Sequence, residues 1–143
     1  MLGEEGFMET ASIKWMGEQK FVATNPSGHK VAFDSDRQSN TAPGPMEMVL
    51  MALGACTATD IVIILEKKRQ KIQSLEVLCS GERAAQPPRV WIKLEVLFRL
   101  RGVVDEGALK HAIELTKEKY CSVAVMLRKT ADLSWRYEIL PAS

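Results

Sequence analysis

Met48-Val49-Leu50-Met51-Ala52-Leu53-Gly54-Ala55-Cys56-Thr57-Ala58-Thr59-Asp60-Ile61-Val62-Ile63-Ile64-Leu65 is a run of 18 residues with Asp60 as its only charge. Its length sits at the lower edge of what spans a bilayer. Against spanning stand Asp60, whose burial in lipid costs about 2.5–3.5 kcal/mol on insertion scales, then Thr57 and Thr59, and the lack of a second apolar segment. The run therefore predicts a buried helix and no membrane association. Pro45 suits its first turn, where a missing N–H costs nothing. Lys67-Lys68-Arg69 close it with cations that the helix dipole favours. From Pro45 to about Lys71 the helix would be roughly 35–40 Å long at 1.5 Å per residue. Apolar on every side from Val49 to Leu65, it is hard to bury inside one chain of 143 residues, which argues for a second copy of the chain.

Working outward, the preceding third is patterned as strands. Ala11, Ile13 and Trp15 alternate with Ser12, Lys14 and Met16, the period-2 signature of a half-buried strand. Gly17-Glu18-Gln19 turns into a strand over Phe21–Ala23, and Asn25-Pro26-Ser27-Gly28 into another over Lys30–Phe33. Asp34 to Gly44 reads as a polar loop. After the long helix, Leu75, Val77 and Cys79 share a strand face, and Gln86-Pro87-Pro88 breaks it. Val90, Ile92, Leu94, Val96, Phe98 and Leu100 then alternate with Trp91, Lys93, Glu95, Arg99 and Arg101. Asp105 is an expected N-cap for a helix with Leu109, Ala112, Ile113, Thr116 and Tyr120 on one stripe. Ser122 is an expected cap for a short helix to Arg128, and Leu133, Trp135, Tyr137 and Ile139 mark the final strand. This order predicts an α+β fold. Residues 1–10 read as a flexible extension without signal-peptide character, and 11–143 as a single domain.

Composition narrows the function. With 19 Lys and Arg against 18 Asp and Glu, the chain has no field to hold polyanions, so nucleic acid is not an expected partner. Three cysteines are too few, and odd in number, for a disulfide framework, which points to a reducing, cytoplasmic location. His29 and His111 form no ligand spacing, and no two cysteines are close in sequence, so no metal is expected. There is no glycine-rich phosphate loop and no Gly-x-Ser-x-Gly elbow, and no cofactor is expected.

Two thiols carry the remaining chemical interest. Cys56 lies in the long helix with Asp60 four residues on, on the same face. Gly54 and Ala55 leave little bulk beside it, so another backbone or a small substrate could approach the sulfur. Cys121 precedes the start of a short helix, where free N–H groups favour a thiolate. Either cysteine can equally pack as a small hydrophobe. Cys79, alternating with Val77, reads as core.

The stretch Ala42-Pro43-Gly44-Pro45-Met46-Glu47-Met48-Val49-Leu50-Met51-Ala52-Leu53-Gly54-Ala55-Cys56-Thr57 resembles the first cysteine motif of the OsmC and organic-hydroperoxide-resistance family. Glu118-Lys119-Tyr120-Cys121-Ser122-Val123 resembles the second, in the form of the YhfA-like branch. The resemblance implies an intertwined homodimer, with antiparallel sheets wrapped around long central helices and sites at the subunit interface. It implies a peroxidatic Cys56 and a resolving Cys121, an organic hydroperoxide as substrate, and a dithiol or a reductase protein as electron donor. A non-peroxidase redox sensor or small-ligand binder on the same fold is the alternative. Two positions, Met46 and Ser122, depart from the family pattern. Met46 stands where active peroxidases place Glu, with Glu47 one residue along and so about 100° further round the helix. Arg37 is the upstream candidate for the arginine that holds the first thiolate. Ser122 stands where many relatives have Pro.

Overall fold

A computed structural model describes residues 8–143, so residues 1–7 of the expected extension lie outside the described residues. The chain forms two compact units, one ending at Met48 and one running from Val49 to Ser143, where the sequence suggests a single domain over 11–143.

The first unit is an antiparallel meander of β1 (Ser12–Trp15), β2 (Lys20–Thr24) and β3 (Lys30–Asp34), in that order across the sheet. The two turns fall where expected. Gly17 and Glu18 take φ of +103° and +51°. At the second, the Asn25 side chain accepts from the His29 N–H at 2.7 Å, and Gly28 supplies φ +94°. The half-buried face expected of β1 is absent: Ile13 and Trp15 are 61% and 65% exposed. The alternation is real, but a single chain puts no cover on that face.

Helix α1 (Pro45–Lys67) stops short of the expected Lys71, because Arg69 turns left-handed at φ +60° and the next strand begins at Lys71. Its start falls at Pro45, as the sequence predicts. Pro45 occupies the first helical position, and the Glu47 carboxylate reaches back to accept the Gly44 N–H at 2.9 Å. Leu53, Thr57, Ile61, Ile64 and Leu65 are buried, while Met51 and Ile63 stay 53% and 46% exposed. By length and composition α1 would also cross a membrane, with only 28% of its apolar window buried within the chain.

In the second unit, β4 (Lys71–Arg83), β5 (Trp91–Val103) and β6 (Asp132–Leu140) form one sheet in the order β4-β5-β6. The β4–β5 hairpin is antiparallel, but β6 runs parallel to β5, with Leu94 against Leu133 and Phe98 against Tyr137. Among the antiparallel pairings that the resemblance implies, this sheet carries one parallel pair. After β5 the chain crosses through α2 (Glu106–Leu115) and α3 (Ser122–Leu127) before returning, and such a crossover is what a parallel pair requires. Gly102 is obligatory at the far end of the hairpin: at φ +149° an added Cβ would overlap the Lys71 carbonyl, beside the irregularity between Ile72 and Ser74.

The alternation on β5 delivers the core. Leu94, Val96, Phe98 and Leu100 are buried in one cluster with Leu53, Ile61 and Leu65 of α1 and with Leu109, Ala112 and Ile113 of α2. Each such side chain contributes about 1.5–3 kcal/mol by leaving water. Phe98 also stacks on Trp135 with centroids 6.2 Å apart. Asp105 caps α2 as expected, accepting the Ala108 N–H at 2.9 Å.

Candidate functional site

The second unit brings three acid-bearing side chains together. Cys56 and Asp60 lie one turn apart on the same face of α1, as their spacing predicts. Cys121 arrives from the other side, at the joint between α2 and α3. Sγ of both cysteines and a carboxylate oxygen of Asp60 all lie within 4.8 Å of one another. Spacing along the sequence shows no metal-ligand set, because convergence of distant segments is a property of the fold; the fold nonetheless assembles a set of ligand-type atoms.

The joint that carries Cys121 has a local cause. Helix α2 does not end cleanly: Thr116–Tyr120 widens into a π-helical turn, and the Cys121 N–H donates to the Thr116 carbonyl at 2.9 Å. The buried Thr116 hydroxyl donates to the Ala112 carbonyl at 2.8 Å. One extra residue in the turn rotates the residues after it by about 100°. Tyr120, expected on the buried stripe, is therefore 55% exposed, while Cys121 is fully buried. Ser122 does not cap α3 as expected. Cys121 does, its Sγ accepting the Ala124 N–H at 3.3 Å.

Burial decides the electrostatics. The cap position favours a thiolate at Cys121, which is what the sequence suggests. Desolvation outweighs it and pushes that thiol up to about 12, and the hydrogen bond with Cys56 raises it further, against the opposing pull of the Ala124 N–H. Cys121 is thus a protonated thiol at neutral pH, and the thiolate expected from its place at the helix start is corrected. Asp60 is also raised, by desolvation. Its Oδ2 is shielded from solvent and has no hydrogen-bond partner among the described residues.

The small residues beside Cys56 serve the opposite side of α1. Gly54, Ala55 and Ala58 line an open groove of about 400 Å³ with Leu75, Val77 and Cys79, and Cys56 is not part of its wall. A Cβ on Gly54 would stand 3.3 Å from the Cys79 sulfur. What the glycine admits is the β4 side chain, so the expected approach to Cys56 over Gly54 is not what the fold builds.

Arg37 and Glu47 belong to the first unit and pair with one another. Arg37 Nη1 lies 2.7 Å from Glu47 Oε1, and Arg37 also donates to the Asp34 carbonyl and, at 3.3 Å, to the Asn40 side chain. The Gly44 N–H and then Arg37 hold the Glu47 carboxyl below its usual range. Asp34 is the polar centre of this loop and was not singled out by its sequence. Fully buried, it accepts the Thr41 hydroxyl at 2.6 Å, the Thr41 N–H at 3.0 Å, the Ser39 hydroxyl at 2.8 Å and the Asp36 N–H at 2.9 Å. A Ser/Asn/Thr-rich loop after an acidic residue is the only signal that could have pointed to it.

An α+β chain with two facing thiols, one at a helix cap and one within a long apolar helix, defines a class. Residues 38–136 match the family model described as OsmC-like protein. The chain is 39% identical over 133 residues to Protein YhfA of Escherichia coli K12, covering 92% of this chain and 98% of that protein. The chain belongs to the OsmC-like family, in its YhfA-like branch. Among solved structures, a hypothetical protein from Aquifex aeolicus superposes with TM-score 0.87 at 26% identity, covering 96% of this chain and 99% of that one. An organic hydroperoxide resistance protein from Legionella pneumophila superposes with TM-score 0.67 at 14% identity, covering 93% and 98%, a likeness of fold.

Proposed function

We propose that this protein reduces organic hydroperoxides through Cys56 and Cys121, in defence against oxidative stress. The observation that carries the reading is the meeting of the two thiols, distant in sequence and within 4.8 Å of one another in the fold. Membership in a family whose fold relatives include an organic hydroperoxide resistance protein supports it.

In this reading the Cys56 thiolate attacks the distal peroxide oxygen. The O–O bond breaks, the alkoxide leaves as an alcohol after taking a proton, and Cys56 becomes a sulfenic acid. The Cys121 sulfur then attacks Cys56, a disulfide forms, and water departs with the hydroxyl of the sulfenic acid and the Cys121 proton. A small dithiol or a reductase protein returns both thiols and is itself oxidised to a disulfide. The net change is one hydroperoxide and one dithiol to an alcohol, water and a disulfide. A Cys121 kept protonated by burial suits the resolving role, since it does not compete for the peroxide. Arg37, tied to Glu47, is our candidate for the cation that favours the Cys56 thiolate.

The same reading takes the protein as a cytoplasmic homodimer. The largely uncovered apolar window of α1, with the exposed Ile13 and Trp15, is surface that a second copy would bury, and all three cysteines are free.

The test is consumption of an alkyl hydroperoxide with a dithiol reductant, in the presence of a chelator. Wild type is expected to turn over, Cys56→Ser to fall by more than about 10³-fold as for loss of a nucleophile, and Cys121→Ser to accumulate a trappable sulfenic acid on Cys56. Absence of turnover by wild type with its thiols intact would leave the redox-sensor or small-ligand reading.

A further inference from the structure

The Cys56, Asp60 and Cys121 group contains more acid than the proposed redox cycle uses. Two sulfurs suffice for a disulfide, yet a carboxylate is held against them from the same helix face, all three ligand-type atoms lying within 4.8 Å. One of its oxygens makes no hydrogen bond: Oδ2 of Asp60 is shielded from solvent and unpartnered among the described residues. Nor is Asp60 neutralised by an ion pair with any described Lys, Arg or His. A carboxylate oxygen shielded from water and left unpaired is costly unless a cation or proton joins it. In a tetrahedral site with Zn–S near 2.3 Å and Zn–O near 2.0 Å, ligand atoms stand roughly 3.5–3.8 Å apart. The present separations, within 4.8 Å, need to close by no more than about 1.3 Å to reach that spacing.

We propose that Cys56, Asp60 and Cys121 form a binding site for a thiophilic divalent cation, Zn2+ being the reference ion. Two thiolates and one carboxylate exclude the hard cations, which take oxygen alone, and suit zinc among the divalent ions. Three protein ligands leave a fourth position for water or a small thiol. Cys121 is well anchored for the task, with its sulfur accepting the Ala124 N–H at 3.3 Å and its own N–H tied to Thr116 at 2.9 Å. Binding replaces two S–H protons with two metal–sulfur bonds and releases both protons to solvent. Neither sulfur is then free to attack a peroxide or to form a disulfide, so the loaded protein is redox-silent and the metal acts as an off-switch. The site concerns the thiols of the peroxidase reading but does not depend on it.

The experiment uses the reduced, chelator-stripped full chain. Zn2+ is titrated in competition with a chromophoric chelator, Co2+ is added as a spectroscopic probe, and thiols are counted with a thiol reagent. Expected are one Zn2+ per chain, protection of two of the three thiols, and a thiolate-to-Co2+ charge-transfer band with the intense visible bands of a four-coordinate ion. Cys56→Ser and Cys121→Ser should abolish these signals. Asp60→Asn, with folding verified by circular dichroism, should weaken Zn2+ by more than roughly 100-fold, beyond the 10–100-fold lost with a residue outside the ligand set. Cys79→Ser should bind as wild type. No Zn2+ binding by wild type, a Co2+ spectrum without thiolate character, or full affinity in Asp60→Asn would overturn the site. Turnover measured under chelator separates the two ideas: a chain that turns over but binds no Zn2+ sinks only the metal site, and one that binds Zn2+ without turnover sinks only the peroxidase.

Discussion

Asp34 and Asp60 are two carboxylates with oxygens shielded from water, the first fully buried and the second half-buried, and their surroundings are opposite. Asp34 ends a strand and is met by four donors from the adjoining loop, two hydroxyls and two backbone N–H groups, with Lys20 Nζ at 3.8 Å beyond them. Its carboxyl is held well below the usual range, chiefly by the Thr41 hydroxyl and N–H. Asp60 stands on an apolar helix face, with a shielded oxygen that meets no donor among the described residues and with two cysteines beside it. Desolvation alone sets its direction, which is upward. Each has at least one oxygen shielded from water; what differs is whether the fold provides N–H and O–H groups aimed at the charge. A carboxylate with its donors provided serves architecture. One left without them is available for a ligand.

The largest expected effect on stability comes from removing the satisfied carboxylate. Asp34→Ala strands the Thr41 and Asp36 N–H groups and both hydroxyls in a shielded loop, and a stranded donor costs more than the lost bond itself. Its thermal midpoint by circular dichroism should fall steeply, and further than that of Asp60→Asn or Arg37→Lys; a wild-type midpoint would break the contrast.

Next comes pH. Because the folded-state pKa of Asp34 lies below its unfolded value of about 4, its contribution is fully present above that value. It is lost as pH falls from there through the folded pKa. Acid titration of stability below pH about 4 should therefore be shallower in Asp34→Asn than in wild type. Equal slopes would deny Asp34 its part in acid unfolding.

A smaller effect, of opposite sign, is expected at the other carboxylate. With chelator present, Asp60→Asn removes an uncompensated charge from shielded surroundings and should raise the neutral-pH midpoint modestly or leave it unchanged. A marked loss would mean that the oxygen has a structural partner.

The smallest change in stability belongs to the exposed ion pair. Arg37 and Glu47 side chains are 49% and 58% exposed, and such pairs contribute little to folding. Arg37→Lys should unfold near wild type. If hydroperoxide turnover nevertheless drops in that variant, the pair serves the chemistry; if both are unchanged, Arg37 only organises its loop.

Much of this protein is written locally in its sequence. The apolar run that makes α1, Pro45 and Glu47 at its start, the turns at Gly17 and Gly28, the alternation of Leu94, Val96, Phe98 and Leu100, and the Asp105 cap all arise from periodicity and backbone preference, which act over a few residues. So does the shared face of Cys56 and Asp60, because four residues make about one helical turn. The cysteine motifs also carry the family.

Tertiary structure alone decided the rest. Whether β6 would pair parallel to β5 depended on the path of the crossover. The π-helical turn that buries Cys121 and exposes Tyr120 arises where α2 meets the core, and no periodic pattern announces one extra residue. The acidity of Cys121 obeys the same logic: sequence shows the helix end that would lower it, but only the packed fold shows the desolvation that raises it. Asp60 is the clearest case, since the significance of a charge depends on which donors and sulfurs arrive from segments far along the chain, and those distances are set by packing.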